Sequence, residues 1–129
     1  MRFPLGPVGW SALSGIDHAL WDIAGKVANL PVYMLLGGAF RDRVRVYHGV
    51  QGDTPESLAE AGLRLVDEGY GAMKTSPYPP EWRSLPWNRV VKEATARMES
   101  LRLAVGDDID IALDVHATLV EPFRAEQLA

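Results

Sequence analysis

The strongest constraint on the fold is an alternation, in which amphipathic segments of helical length are separated by short runs of apolar and β-branched residues along most of the chain. Thr54-Pro55-Glu56 offers a hydroxyl cap, a proline at the first helical position and an acid in the first turn, which predicts a helix to Glu68 stopped by Gly69. A second helix carries Val90, Ala94, Met98, Leu101 and Val105 on one face and ends at Gly106. Between and around them lie three predicted strands: 44–47 running on to about His48 or Gly49, 71–76, and 110–115. Strands separated by such helices predict right-handed βαβ units and a parallel sheet, so the fold class is α/β. Three units cannot close a barrel, which takes eight strands and about 250 residues. The chain is therefore expected to be either a small open domain or part of something larger. A final helix opened at Glu121-Pro122 and left short favours the second.

Ahead of the strands, residues 11–28 place Leu13, Ile16, Leu20, Ala24 and Val27 at helical spacing, with Asp22 and Lys26 ordered for a supporting pair. Asn29-Leu30-Pro31 ends that helix, a short turn runs through Leu36, and Gly37-Gly38 stops it. Trp10 and Trp21 are expected in core packing on this helix and His18 on its surface. The proline-bent loop after the second strand carries Trp82 and Trp87, whose roles the sequence leaves open.

The third strand carries the chemistry. In Asp108-Ile109-Asp110-Ile111-Ala112-Leu113-Asp114-Val115-His116, odd positions make an apolar face suited to packing under helices. Even positions turn polar toward the carboxyl end, where barrels hold their sites. Asp114 and His116 would then enter one cavity, a carboxylate able to hold a hard cation and an imidazole able to move a proton near neutral pH. The alternative is that Asp114 caps the next turn and His116 is a solvated loop residue, and spacing alone favours that one. Lys74 and Ser76 share a parity on the second strand and could face the same cavity, Lys74 to steady an anionic oxygen or exchange a proton. The alternative for Lys74 is a plain surface lysine. Tyr47 and His48 end the first strand with opposite parity; either could touch a ligand, and surface or packing roles are the alternative, which the sequence favours no less.

A net charge of −4 gives no electrostatic footprint for nucleic acid, and no segment is long and apolar enough to span a bilayer. Without cysteine, any metal must sit on oxygen or imidazole ligands. The expectation is a cytoplasmic protein with neither nucleic acid nor membrane as a partner.

The string Ser14-Gly15-Ile16-Asp17-His18-Ala19-Leu20-Trp21-Asp22-Ile23-Ala24-Gly25-Lys26, continued by Leu30-Pro31-Val32-Tyr33-Met34-Leu35-Leu36-Gly37-Gly38, closely resembles the mandelate racemase-like branch of the enolase superfamily. The resemblance implies that residues 1–42 are the helical end of an α+β capping domain. Residues 43–129 would be the first three units of a (β/α) TIM-type barrel, truncated. It also implies that Asp114 is the first of three carboxylate ligands to Mg2+, with the other two on later strands. Racemases of the branch carry Lys-x-Lys on the second strand, whereas this chain has Lys74-Thr75-Ser76. Galactonate-dehydratase-like members carry Asp-x-His on the third, which Asp114-Val115-His116 matches, although Ala117-Thr118 replaces their usual Gly-Arg. The implied parent is a Mg2+-dependent acid-sugar dehydratase, a homo-oligomer, in which His116 protonates the leaving hydroxyl and Lys74 holds the carboxylate or enediolate. Ser76, Tyr47 and His48 are the implied substrate contacts, and the principal base lies on a strand absent here. A racemase, epimerase or cycloisomerase of the same superfamily, or a non-catalytic remnant, is the competing expectation.

Overall fold

Nine helical and strand segments follow one another in the computed structural model, which describes residues 5–119 and 121–128. They fall into two units, one ending at Val44 and the other beginning at Arg45.

The first unit is α1 (Gly6–Ala28) followed by the single turn α2 (Val32–Leu35). Helix α1 begins five residues before the expected position, with proline in its first turn. Lys26 Nζ donates to Asp22 Oδ2 at 2.6 Å, as the spacing predicted. Asn29 closes the helix in the left-handed region at φ 53°, a conformation its short polar side chain tolerates, and Leu30 N–H donates to Gly25 O at 2.9 Å. Gly25 is buried because a side chain there would meet Leu30 O at 2.9 Å. The expectation that Trp10 and Trp21 pack in a core is not met: they are 60% and 37% exposed. Four residues of α2 cannot cover a 23-residue helix. His18 is exposed, as expected.

In the second unit, β1 (His48–Gly49), β2 (Ala72–Thr75) and β3 (Asp110–Leu113) form a parallel sheet in that order. Helix α3 (Pro55–Asp67) joins β1 to β2. Its Thr54 cap accepts from Ser57 N–H at 3.2 Å while Ser57 Oγ accepts from Thr54 N–H at 3.0 Å, so two end donors are satisfied reciprocally. A 3-10 turn (Trp82–Ser84) and α4 (Trp87–Val105) join β2 to β3, and α5 (Pro122–Leu128) follows β3.

The core lies between the helices and one face of the sheet: Val50, Leu58, Leu65, Met73, Leu101 and Val105, with Ile109 and Ile111 packed against it. The odd residues of β3 therefore face the helices up to Ile111, as the alternation predicted. Burial of a large side chain such as Leu58, Met73 or Leu101 stabilises by roughly 1.5–3 kcal/mol. Gly62 lets α3 approach α4, since an added Cβ would lie 2.5 Å from Leu101 Cδ1.

Strand β1 is shorter than the sequence suggested. His48 pairs with Met73, so 45–46 would lie opposite Tyr70 and Gly71, where the chain is still leaving the turn at Gly69 (φ 92°). No strand backbone is available there to pair with. Arg45 instead reaches across with its side chain, donating to Gly71 O at 3.0 Å and pairing with Asp110 at 2.7 Å. The other two strands also stop short of the expected limits, at Thr75 and Leu113. Among the described residues, no helix is long and apolar enough to cross a membrane.

Candidate functional site

Parallel pairing of β2 and β3 brings their carboxyl ends together. Lys74 stands opposite Ala112 and Thr75 opposite Leu113, and the ladder's last bond runs from Asp114 N–H to Thr75 O at 2.8 Å. One residue past the strand, the Asp114 carboxylate meets Lys74 Nζ at 2.8 Å, with both side chains about one-third exposed. Asp114 Oδ1 also accepts from His116 N–H at 2.9 Å. The pair shifts both groups toward their charged forms. The hydrogen bond to Asp114, then its charge, then Tyr47 raise the Lys74 ammonium above its ordinary 10.5. The hydrogen bond from Lys74, then that from His116 N–H, hold Asp114 below its ordinary 3.8.

These groups border a cavity of about 500 Å³. His116, Ser76 and Thr75 line it with them, so four of the expected site residues, Lys74, Ser76, Asp114 and His116, reach one cavity. The manner of arrival differs for His116. The strand has ended by Leu113, so alternation no longer governs position 116; His116 and Ala117 instead adopt left-handed backbone at φ 47° and 55°. Asp114 does cap this turn, and His116 is exposed. Asp114 therefore caps its own loop and His116 is solvated, as the alternative expected, and the same carboxylate also faces the lysine.

Tyr47 and His48 are not brought in. The Tyr47 ring lies 5.7 Å from Lys74 Nζ but borders a different depression, with Ala72 and Ile111. His48 turns to Tyr70, ring centroids 5.2 Å apart, and its Nδ1 lies 2.8 Å from Gly49 O. With β1 reduced to two residues, its end does not deliver either side chain to the cavity.

The cavity has further walls that the sequence reading did not name. Arg97 is 5% exposed on the inner face of α4, and its guanidinium donates to Gly52 O at 2.7 Å and Asp53 O at 2.9 Å. It thereby clamps the loop after β1 against the site. Burial pushes its pKa down, while the nearby Asp53 and Glu93 carboxylates oppose that. Spacing from Ala94 to Leu101 does pass through 97, but a charged residue there reads as solvent-facing. Tyr78 and Trp82 stack at 4.3 Å and 17°, and Thr118 Oγ1 donates to the Tyr78 hydroxyl at 2.9 Å.

As a metal site the donor set is incomplete. Asp114 is a hard oxygen donor suited to magnesium, but no cluster of three His, Asp or Glu residues exists among the described residues.

Residues 3–37 match the family described as mandelate racemase / muconate lactonizing enzyme, N-terminal domain. The chain is 39% identical over 117 residues to a D-galactonate dehydratase of Ralstonia pickettii, covering 91% of this chain and 30% of that protein. To the D-galactonate dehydratase of Verminephrobacter eiseniae it is 40% identical over 111 residues, 86% of this chain and 29% of the relative. Among solved structures, it is similar to an enolase from Agrobacterium radiobacter with the provisional name galactarate dehydratase, bound to sodium and L-malate. That match has 46% identity and a TM-score of 0.85, covering 98% of this chain and 33% of the other. A member of the enolase superfamily from Salmonella Typhimurium matches with TM-score 0.72 and 36% identity over 82% of this chain and 32% of its own. The chain thus spans about a third of the length of the proteins it matches.

Proposed function

We propose, from the premise that this chain is a homologue of the mandelate racemase / muconate lactonizing enzyme branch of the enolase superfamily, that it carries part of the site of an acid-sugar dehydratase. Its three parallel strands are the opening of a (β/α) barrel, preceded by the helical end of a capping domain. The boundary we assign is 1–42 for the cap and 43–129 for the barrel part. One observation carries the functional reading: the Lys74–Asp114 pair at the carboxyl ends of adjacent strands, opening on the same cavity as His116.

The reaction is removal of the proton next to a carboxylate, followed by loss of the β-hydroxyl as water. Lys74, held cationic by its partner, binds the carboxylate oxygens and steadies the charge that grows on them. His116 gives its proton to the departing hydroxyl, and a base outside the described residues takes the α-proton. Asp114 would be one ligand of Mg2+, whose chemistry is charge stabilisation at the carboxylate; its other ligands would come from elsewhere. Ser76 in place of a second lysine favours dehydration over racemisation, since two-base exchange needs a group on each face of the carbon. The protein would work in the cytoplasm on small acid sugars, as part of a homo-oligomer, and this chain alone would be inactive.

To test this, the matching 117 residues of the Ralstonia pickettii enzyme are replaced by those of this chain, and 2-keto-3-deoxy product is measured. The chimera should make that product, and Asp114→Asn and His116→Asn should each lower the rate by about 10²–10⁴-fold. A folded chimera that epimerises its substrate, or that is indifferent to both substitutions, overturns the reading.

A further inference from the structure

One wall of the cavity is a cluster of two aromatic rings and a guanidinium that the proposed reaction does not use. Tyr78, 8% exposed and hydrogen-bonded through its hydroxyl to Thr118, supports the Trp82 ring, and the Arg83 guanidinium lies 4.7 Å from the Trp82 ring centroid. Tyr78, Trp82 and Arg83 all line the cavity that holds Lys74, Asp114 and His116.

The other cations of this cavity have roles: Lys74, paired with Asp114, is the group assigned above to the first carboxylate, and Arg97 is bound to two backbone carbonyls. Arg83 makes no ion pair and no hydrogen bond among the described residues; its one recorded partner is the indole face. Contact with an indole ring leaves guanidinium N–H donors available for an oxygen acceptor, in the fork geometry that matches a carboxylate. The loop around it is also constrained. Pro77 and Pro79 are buried, Ser84 N–H and Oγ both donate to Glu81 O at 2.8 Å, and Trp82 opens the 3-10 turn. The donor is therefore pre-positioned at the cavity, which limits the ordering cost of using it.

We propose that Arg83 receives a second anionic group of the substrate, so that the cavity prefers dicarboxylic acid sugars to monocarboxylic ones of the same length. The inference rests on the acid-sugar reading above and adds the substrate class to it. A net charge of −4 works against a doubly charged ligand in general, so the preference needs a local cation. Lys74 holds one carboxylate at the strand ends; Arg83, from a separate loop, takes the other.

The test is titration of the full chain, in magnesium-containing buffer, with galactarate and with galactonate, followed through the Trp82 indole and Arg83 Nε–H resonances. Galactarate should bind about tenfold more tightly, moving both resonances. In Arg83→Gln that preference should vanish, with galactonate affinity unchanged within about twofold. Arg83→Lys should restore it only in part, because an ammonium neither stacks flat nor bonds through two parallel donors. Equal affinity for the two acids, or a preference that survives Arg83→Gln, overturns this inference and leaves the acid-sugar reading standing. Binding of neither acid overturns both.

Discussion

Lys74 and Asp114 meet at 2.8 Å because parallel pairing sets Lys74 opposite Ala112, which leaves the aspartate two residues further along on the same face, within reach of the lysine on the neighbouring strand. The contact is a product of register. A one-residue slip would turn Lys74 toward the helices and separate the charges.

The pair has a pH signature at both extremes. Asp114 titrates below its ordinary 3.8, so its contribution to stability is present above that value and is lost as pH falls through the lower folded value. Lys74 titrates above 10.5, so its contribution is complete below that value and is lost as pH rises through the higher folded one. Between 3.8 and 10.5 both are in place. Melting of wild type and Asp114→Asn should differ by a constant amount across that window, with the gap closing outside it. A side-chain carbon titration should find the Lys74 pKa lower in the variant.

Ala117 sits at φ 55° directly after His116 at 47°, a conformation that costs an L-residue about 1–2 kcal/mol. Glycine carries no such cost, though it loses more freedom on folding. Ala117→Gly should therefore raise stability by roughly 0.5–1 kcal/mol in denaturant titrations. A lower midpoint would show that the left-handed turn is not what the loop adopts in solution.

Much of this was legible in the sequence, for identifiable reasons. Helices α3 and α4 follow from caps and 3.6-residue spacing, which are local signals, and parallel order follows from the helices between strands. The Asp114–Lys74 cavity followed from alternation along two strands. Alternation failed where the strands stopped: His116 is placed by a left-handed turn that no periodicity announces, and the first strand pairs only at His48 and Gly49, with Tyr47 just ahead of it. Trp10 was misplaced because periodicity identifies an apolar face without saying what covers it. Arg97 and Arg83 were passed over because charge marks a surface residue by default. Only tertiary contacts reveal that one clamps a loop and the other sits over an indole ring.

Arg97 makes a third prediction. Replacing it with methionine keeps most of the apolar stem but leaves Gly52 O and Asp53 O without their donor, at a cost of about 2–4 kcal/mol. Hydrogen exchange should rise first in residues 50–53, with the ends of β2 and β3 less affected. Uniform loss of protection across α3 and α4 would mean that Arg97 acts on the core and not on the loop.

The site itself is tested most directly by adding Mn2+, a paramagnetic substitute for magnesium, and mapping which backbone resonances broaden. The expected result is weak binding with broadening centred on Lys74, Asp114 and His116, abolished by Asp114→Asn. Broadening centred elsewhere, or unchanged in that variant, would contradict the assignment of Asp114 and its neighbours as the chemical site.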